Sequence, residues 1–565
     1  MDFYETNDFE VVDLQWERIF LRFDIKTEYQ GDMQFCILLI NRKTVNKKEM
    51  KLYGEKRIKS TEARHMIPIE PYQSESGLYR FKVNMSAADG REFLDNAIWK
   101  IGVITDRGFS IAGTSLELAY RLDDHARIFR YGRGRYAYNV SFSVTYFNEK
   151  NLEFNINSRF MIENKTWKRR RYIQEAFTFK GKLNRAYKYM VIWMIRAFYH
   201  TMAALTPKDG SRILFMSETK DYIWGNLKYI DDRIKERGLD KDFKLTYSCR
   251  KAAGEHNSAL SWIKTVFRIA RQDYIFVDDY APLFGFFRLS PKTKLIQVWH
   301  AGEGFKSVGY SRFGKAGSPF PSMSCHKAYD YALTGSEKLV EVYEEVFGIE
   351  KSAFLPTGMP RLDDFLDSGR ISSFRKEFYE NYPKLAGRKI ILFAPTFRGT
   401  GQKSAYYDYD QLDLQRMHDF CGSDYAVLFK MHPFIDERIE IPQEYQDSLM
   451  DFSEYPDINE LYYITDVLIT DYSSNYYEYA LMKKPVLFFT YDRQIYEVTR
   501  GVHRSVRDNA PGKVCDTFDE LMAALENKDY EMDKLDRFIE ENFGEYDGHA
   551  CDRVIDRILL ADKEV

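Results

Sequence analysis

Two histidines follow short apolar segments with the character of buried strands: His300 ends KLIQVWH, and His432 lies in VLFKMHP. At the carboxyl end of a parallel strand, each imidazole would lie where open α/β folds bind their ligands. A neutral imidazole with an ordinary pKa of ~6.5 can accept a proton from an attacking hydroxyl. A single histidine is usually structural, whereas two at equivalent strand ends indicate a catalytic pair.

The segment Asp471-Tyr472-Ser473-Ser474 follows a predicted buried strand and precedes a predicted helix that extends to about Met482. The first amide groups and the positive dipole end of a helix attract anions, and the hydroxyls of Ser473 and Ser474 can bind phosphate oxygens. The segment therefore predicts a phosphate site. Because Asp and Ser are also good helix N-caps, simple capping is the alternative interpretation.

Cationic side chains lie just beyond other predicted strands and turns. They are Lys306, Arg361, Arg398 and Arg500. Phosphoryl transfer depends largely on positioning and on stabilising charge on the phosphoryl oxygens, which such side chains can do. Most surface arginines have no such role, so these four are selected only by their place after a strand or turn.

Metal ligation is not predicted. The adjacent carboxylates at 278–279 and 363–364 would point to opposite faces of a strand, and no third ligand is spaced to join them. The six cysteines have no short pairing of the C-x-x-C kind, so neither a zinc site nor a disulfide framework is indicated. We expect no cofactor, and any Mg²⁺ requirement would be met without a site built by the protein.

Two series of alternating strands and helices would position these residues. The strand-like runs are RILFMS, KLTYSC, YIFVDD, KLIQVWH and YALTGS, then KIILFAPT, YAVLFKMH, DVLITDYSS and PVLFFTYD. Each βαβ series predicts a doubly wound parallel sheet. The expected α/β architecture is a pair of facing Rossmann-like domains, at 207–370 and 371–565, with the active site between them.

Residues 1–164 show short runs of alternating polar and apolar residues, which predict an antiparallel β-rich domain. A chain of 565 residues exceeds the ~250–300 that one core usually serves, so several domains are expected. No catalytic grouping is visible in the N-terminal part. It is interpreted as a structural or acceptor-binding module.

Residues 165–206 join these parts and are basic, then apolar. The residues singled out are Lys168, Arg169, Arg170, Arg171 and Trp193. A basic amphipathic helix here could lie on an anionic membrane, and a linker helix packed on the next domain is the alternative. No signal peptide or spanning segment is apparent, so a peripheral place on the cytoplasmic face of a membrane is expected. The net charge of −3 argues against a surface adapted to nucleic acid.

Several motifs in fixed order, from roughly Ile213 to Arg504, resemble the CDP-glycerol glycerophosphotransferase family of teichoic acid and capsule synthesis. They are QVWHAGEGFKSVG, LPTGMPRLDDFL, ILFAPTFRG, LFKMHP and DINELYYITDVLITDYSSNYYEYALMKKPVLFFTYD. The resemblance implies a GT-B fold with acceptor binding by the first Rossmann-like domain and donor binding by the second. It also implies a CDP-glycerol or CDP-ribitol donor, a lipid-linked polymer acceptor and release of CMP.

Individual roles follow from the same resemblance. His300 matches the W-H motif and the role of general base, His432 matches the histidine of the second domain, and Arg500 precedes the R-G step. Ser473 and Ser474 match the D-Y-S-S phosphate motif. Further candidates within the motifs are Arg361, Thr396 and Glu478, the last standing where the family usually has aspartate.

Departures from the family pattern, such as Trp299-His300-Ala301 in place of W-H-G, leave the polyol undecided between glycerol and ribitol. Two other functions share the expected fold: a glycosyltransferase that uses nucleotide sugars, and a non-catalytic membrane-bound assembly protein. A comparison of CMP with UDP release separates these three. The acceptor and the state of homo-oligomerisation stay open.

Overall fold

The computed structural model describes residues 2–44, 58–90, 92–131, 136–148, 151–164, 169–172, 179–250, 259–299, 308–312, 324–399, 405–502, 504–544 and 546–561. The chain divides into two compact units. The β unit comprises Met1–Tyr187, Gly399–Ala405 and Asp492–Gly501. The α/β unit comprises Lys188–Arg398, Tyr406–Tyr491 and Val502–Val565.

One large sheet dominates the β unit. Its strands are β1 (Phe9–Glu17), β2 (Phe20–Thr27), β3 (Gln34–Thr44), β4 (Ile58–Ile69), β5 (Gln73–Glu75), β6 (Leu78–Asn84), β7 (Ala97–Thr105), β8 (Gly108–Ile111), β9 (Gly113–Thr114), β10 (Arg127–Tyr131), β11 (Tyr136–Asn148), β12 (Asn151–Asn164) and β13 (Arg169–Tyr172). The main strand order is β4-β3-β7-β12-β9-β1-β2-β6-β5. Most pairs are antiparallel as predicted, but β1 and β9 run parallel, so the sheet is mixed.

Alternate residues of these strands fill one core. In β2, Leu21, Phe23 and Ile25 are buried while the residues between them are less so. Phe23 stacks on Phe81 of β6 with ring centroids 5.0 Å apart. In strands such as β2 the period of two thus directs one face inward, which is why the sequence pattern identified this region as β-rich, whereas β3 and β7 bury residues on both faces.

The first parallel sheet of the α/β unit has the strand order β15-β14-β16-β17-β18-β19. Its strands are β14 (Arg212–Ser217), β15 (Lys244–Cys249), β16 (Tyr274–Val277), β17 (Lys294–Gln297), β18 (Tyr331–Thr334) and β19 (Phe354–Pro356). All neighbours are parallel. The direction of strand addition reverses between β14 and β16.

The second parallel sheet has the order β22-β21-β20-β23-β24-β25. Its strands are β20 (Lys389–Phe393), β21 (Tyr425–Phe429), β22 (Leu449–Asp451), β23 (Thr465–Thr470), β24 (Val486–Phe489) and β25 (Lys513–Cys515). Here the order reverses between β20 and β23. In doubly wound sheets the crevice beyond the carboxyl ends at such a reversal is where ligands bind.

The helices of the described residues surround these sheets. They are α1 (Leu116–Arg121), α2 (Phe179–Ala204), α3 (Gly225–Glu236), α4 (Ala259–Ala270), α5 (Lys338–Phe347), α6 (Ser368–Asn381), α7 (Leu414–Cys421), α8 (Ile458–Tyr462), α9 (Tyr476–Ala480), α10 (Arg493–Arg500), α11 (Val506–Asn509), α12 (Phe518–Asn527), α13 (Met532–Phe543) and α14 (Ala550–Ile555). Within the described ranges, none of them is both long and apolar enough to cross a bilayer.

Helix α14 comes from the end of the chain but packs with the first parallel sheet. Val554 and Ile555 belong to the same buried cluster as Ile213 and Phe276. Arg233 of α3 also donates to both carboxylate oxygens of Asp552, at 2.9 and 2.7 Å. The last helix of the predicted segment 371–565 therefore helps to complete the core around the segment 207–370.

The basic segment differs from the predicted amphipathic helix. Residues Arg169–Tyr172 form strand β13, which pairs antiparallel with β12 through Glu163↔Arg170 and its neighbours, and α2 begins only at Phe179. The backbone hydrogen bonds of a sheet edge are satisfied here by a partner strand, which the charge pattern could not reveal. Lys168 lies outside the described residues.

Candidate active site

The strand reversal of the second sheet brings two predicted residues together. Strands β20 and β23 are paired in register as far as Phe393 and Ile469, so the segments that follow them emerge side by side. The Thr396 amide donates to Oδ1 of Asp471 at 2.8 Å. Both residues are fully buried. The sequence signals in APTFRG and DYSS therefore belong to one local structure.

Asp471 organises this edge through several hydrogen bonds. Besides the Thr396 amide, it accepts from the Ser473 amide at 3.2 Å and from Arg398 Nη1 at 2.7 Å. A carboxylate with these donors is stabilised in its charged form. The buried Arg398 guanidinium neutralises the charge of Asp471, so this carboxylate would not repel a phosphate bound nearby. Its role is to hold the backbone in place.

Arg398 lies in an aromatic cage. Its guanidinium carbon is 5.2 Å from the ring centroids of Tyr472 and Tyr491 and 5.6 Å from that of Tyr407. Such cation–π contacts and the ion pair with Asp471 fix the side chain, which is only 5% exposed. That Arg398 binds the donor phosphate stays a prediction.

The predicted helix after DYSS is shorter than expected. Helix α9 spans only Tyr476–Ala480, and Lys483 has a left-handed φ of 53°. The N-cap position belongs to Asn475, whose Nδ2 donates to the Ala394 carbonyl at 2.7 Å. A helix this short has little macrodipole, so the dipole argument for phosphate binding weakens.

The two serines of the motif are not the helix cap. Ser473 and Ser474 precede Asn475 and are half-buried. Within the described residues neither hydroxyl has a protein hydrogen-bond partner, whereas the Ser473 amide is bound to Asp471. The capping interpretation does not account for these hydroxyls, and they remain suited to an external acceptor or donor.

His432 lies at the same edge, beyond β21. Its Nδ1 accepts a hydrogen bond from the Phe434 amide at 3.1 Å, which places the proton of the neutral ring on Nε2. The ring packs against Phe397 with centroids 4.8 Å apart. In this tautomer Nε2 is a donor, which suits binding of a phosphate oxygen better than removal of a proton.

The strand that leads to His300 is held at its carboxyl end. His300 and Lys306 themselves lie outside the described residues. Trp299, which directly precedes His300, has a left-handed φ of 46°, an unfavourable conformation for a bulky residue. Asn226 Nδ2 donates to the carbonyls of Val298 and Trp299 at 2.8 and 2.7 Å. This side chain is 2% exposed and holds the backbone in that conformation.

The same asparagine connects this strand end to Arg361 and Glu478. Its Oδ1 accepts from the Arg361 amide at 3.0 Å, and the Arg361 guanidinium pairs with the Glu478 carboxylate. Both charged side chains are largely buried, and burial lowers the pKa of Arg361. These hydrogen bonds and the ion pair thus connect Trp299, which follows β17 of the first sheet, with Glu478 in α9, which follows β23 of the second sheet. Sequence reasoning missed Asn226 because its partners are distant in the chain.

Arg500 is placed in the β unit. It ends helix α10, and its Nη1 donates to the carbonyl of Gly399 at 2.5 Å. Gly399 directly follows Arg398 in the chain and belongs to the same unit as Arg500. Arg500 therefore binds the backbone of the residue that directly follows Arg398, another of the predicted arginines.

Metal ligands do not assemble within the described ranges, since no three His, Cys, Asp or Glu side chains come together there. The expectation that the reaction needs no metal site built by the protein stays a prediction.

Comparison with known proteins gives a direct match. Residues 198–560 match the family model described as CDP-Glycerol:Poly(glycerophosphate) glycerophosphotransferase. The chain belongs to this family. The matched range contains both parallel sheets and none of strands β1–β13, so the β-rich sheet lies outside the part that defines the family.

Two relatives come from Staphylococcus aureus, the teichoic acid ribitol-phosphate polymerases TarK and TarL. Each is 36% identical over 364 residues, which is 64% of this chain. The aligned part spans 71% of TarK and 65% of TarL. Solved structures of the wall teichoic acid polymerase TagF, one of them soaked with CDPG, share the fold: TM-score 0.52, 22% identity, covering 68% of this chain and 97% of TagF.

Proposed function

We propose that this chain transfers polyol phosphate from a CDP-activated donor to a hydroxyl of a growing teichoic-acid-type polymer and releases CMP. The polar edge where β20, β21 and β23 end carries the proposal. There the backbone is fixed by Asp471 and Arg398, while Ser473, Ser474 and His432 offer groups suited to phosphate oxygens. Family membership supports the same reaction.

The proposed chemistry is one displacement at phosphorus. The acceptor hydroxyl attacks the phosphorus that carries the polyol, His300 takes the hydroxyl proton, and the bond to the bridging oxygen of CMP breaks. Asn226 and the strained Trp299 support this role because they fix the backbone immediately before His300. The two parallel sheets support a GT-B arrangement, with the donor on the second sheet and the acceptor on the first.

Product analysis tests the proposal. Purified protein is incubated with CDP-glycerol, CDP-ribitol or UDP-sugars and a lipid-linked primer, and CMP and UDP are measured. We expect CMP release that depends on both donor and primer. UDP release would point to a glycosyltransferase, and the absence of any turnover to an assembly protein.

We further propose ribitol as the polyol. The relatives TarK and TarL, both named as ribitol-phosphate polymerases, support this choice. With equal concentrations of CDP-ribitol and CDP-glycerol in one reaction, ribitol should dominate the polymer. Equal or preferred incorporation of glycerol would contradict the choice of polyol and leave the reaction class in place.

A peripheral place on the cytoplasmic face of the membrane is also proposed. Helix α2 leaves Met190, Trp193 and Met194 at 50%, 64% and 46% exposure, although its Tyr199 stacks on Phe287 and anchors the helix. Apolar side chains of this kind can enter the headgroup region of a membrane, and basic residues of the segment 165–206 can contact anionic headgroups.

Liposome sedimentation tests the membrane proposal. Trp193→Gln combined with Met190→Gln should reduce binding to anionic liposomes, as should replacement of Lys168, Arg169, Arg170 and Arg171 by glutamine. Tyr222→Gln is the control, because Tyr222 is 58% exposed but lies away from α2 in the sequence. If both the α2 variant and the glutamine variant of the basic residues sediment like wild type, the membrane contact lies elsewhere.

A further inference from the structure

A buried glutamine lies two residues before the strained Trp299 of the first parallel sheet. Gln297 is the last residue of β17 and is fully buried. Its Oε1 accepts from the Trp299 amide at 2.9 Å, while its Nε2 donates to the Asp279 carbonyl at 3.2 Å and to the Tyr329 hydroxyl at 2.9 Å. Because a backbone amide can only donate and a carbonyl can only accept, these partners fix the orientation of the side-chain amide. Every polar atom of the Gln297 side chain thus takes part in a hydrogen bond.

The Tyr329 hydroxyl extends this network to a buried histidine. It accepts from Gln297 and lies 3.2 Å from Nδ1 of His326 and 3.8 Å from the Cys325 thiol. Burial lowers the pKa of His326 to about 4, so its ring is neutral near pH 7, and burial also raises the pKa of Tyr329, so the hydroxyl keeps its proton. A neutral imidazole nitrogen is a better acceptor than a thiol, which directs the tyrosine proton to Nδ1. The hydrogen bonds therefore form one directed chain from the Trp299 amide to His326.

Trp299 is held on both sides of its Cα atom. The peptide group before it is bound twice: the Val298 carbonyl accepts from Asn226, and the Trp299 amide donates to Gln297. The peptide group after it is bound through the Trp299 carbonyl, which also accepts from Asn226. The two soft dihedrals of a residue are set by the peptide planes that flank it, so these bonds fix the left-handed conformation. From the second of these planes the chain continues directly to His300.

One aromatic ring packs against both ends of this network. Phe347, the last residue of α5, is fully buried. Its ring centroid lies 5.3 Å from that of Trp299, 5.2 Å from that of His326 and 5.4 Å from that of Tyr329. Interiors packed this closely leave little space for a change of rotamer. The ring contacts therefore keep His326 and Tyr329 in a fixed geometry relative to Trp299.

We propose that Tyr329 and His326 are positioning residues for the base His300. They act through Gln297 on the backbone of Trp299. This rests on the proposed function, in which His300 takes the proton of the acceptor hydroxyl. The residues that form the network all lie in the α/β unit. Loss of the Tyr329 hydroxyl would leave one amide hydrogen of Gln297 and Nδ1 of His326 without their partner, so the Trp299 amide would be held less firmly. The chemical step should slow, whereas binding of the CDP-polyol donor should persist.

A double-mutant cycle tests this link in the whole chain. Tyr329→Phe keeps the ring and removes the hydroxyl; we expect kcat to fall roughly 3- to 10-fold, as for loss of one buried hydrogen bond, with the KM for CDP-polyol nearly unchanged. Gln297→Met keeps a side chain of similar length but removes the link to Trp299, so Tyr329→Phe should have little further effect on kcat in that background. Tyr247→Phe is the control: it removes another hydroxyl of the same sheet, one that donates to Asp231 at 2.8 Å, and should keep the wild-type kcat.

A matched pair of variants at His326 separates the acceptor atom from simple packing. Leucine and asparagine have nearly the same shape, but only asparagine has an oxygen that can accept the Tyr329 proton near the position of Nδ1. We therefore expect His326→Leu to lower kcat about as much as Tyr329→Phe, and His326→Asn to recover most of that loss. Equal kcat values for the two His326 variants would contradict a role for this hydrogen bond.

Failure of this inference and failure of the proposed function give different results. The Trp299 amide should exchange its hydrogen faster in Tyr329→Phe than in Tyr247→Phe, a readout that needs no turnover; equal exchange would overturn the inference. If wild type turns over CDP-polyol and Tyr329→Phe keeps its kcat, or loses as much in the Gln297→Met background as in wild type, the inference is also overturned and the proposed function stands. If wild type turns over no CDP-polyol, the proposed function itself fails, and this inference with it.

Discussion

The two parallel sheets of the α/β unit build their ligand edges by different means. At the second sheet, a buried ion pair and backbone hydrogen bonds fix the segments after β20 and β23, and the serine hydroxyls remain unused by the described protein groups. At the first sheet, neutral side chains such as Asn226 hold a strained Trp299 beside the predicted base. The comparison indicates that the proposed donor edge is a cradle held rigid by a buried ion pair, whereas the other edge is held by a few neutral hydrogen bonds.

The largest effect is expected from breaking the buried ion pair. Arg398→Met keeps the side-chain bulk but leaves Asp471 charged and uncompensated, which should cost about 3–5 kcal/mol of unfolding free energy. Urea denaturation measures the loss. The double variant Arg398→Met with Asp471→Asn removes the stranded charge and keeps the Thr396 amide bond, so it should recover part of the stability; a double variant no more stable than the single would contradict the rigid-cradle interpretation.

Removing the predicted base comes next. His300→Ala should lower kcat by ~10²-fold or more while donor affinity persists, as expected for loss of a general base. His432→Ala should instead weaken donor binding, because its Nε2 proton is proposed to serve a phosphate oxygen. Single-turnover kinetics and calorimetry with CDP-polyol separate the two. If His300→Ala keeps near-normal turnover, the base is another group.

The sequence predicted the parts of this comparison that are local. Every strand-like run quoted for the two parallel sheets contains a strand, because the central residues of runs such as KIILF and DVLIT are apolar and buried on both faces. The place of His432 and Asp471 beyond strand ends followed from the same pattern. These features depend on residues that are close together in the chain, so they can be predicted from a single sequence.

Features that depend on distant partners could not be predicted. Asn226 is an ordinary polar residue in a helix until the fold brings it to the Trp299 carbonyl and the Arg361 amide. The attachment of α10 to the β sheet and the pairing of β13 with β12 are of the same kind. Basic residues with interleaved aromatics predicted a helix over the whole segment, lying on a membrane or packed as a linker, and the strand at Arg169–Tyr172 depends on its partner β12.

A smaller effect is expected at the first sheet. Asn226→Ala removes its hydrogen bonds to the Val298 and Trp299 carbonyls and from the Arg361 amide, which should lower kcat roughly tenfold, equivalent to about 1–2 kcal/mol. Asn226→Asp keeps the acceptor for Arg361 but loses both donations to the strand end. If the strained Trp299 positions His300, the two variants should lose similar activity; an Asp variant as active as wild type would assign the effect to Arg361 instead.

The smallest effect separates phosphate binding from capping at the second sheet. Ser473→Ala with Ser474→Ala removes two hydroxyls that have no protein partner among the described residues, so unfolding free energy should hardly change. Donor affinity should fall about fivefold to tenfold, as for loss of one or two modest hydrogen bonds.

Asn475→Ala is the matched control: it removes the hydrogen bonds to Ala394 and Thr470 and should reduce stability with the serine hydroxyls intact. Calorimetry with CDP-polyol and urea denaturation are applied to both variants. If the serines bind phosphate, the serine variant should lose donor affinity and keep its stability, whereas Asn475→Ala should lose stability and keep donor affinity. A serine variant that loses stability but keeps donor affinity would show that these residues have a structural role.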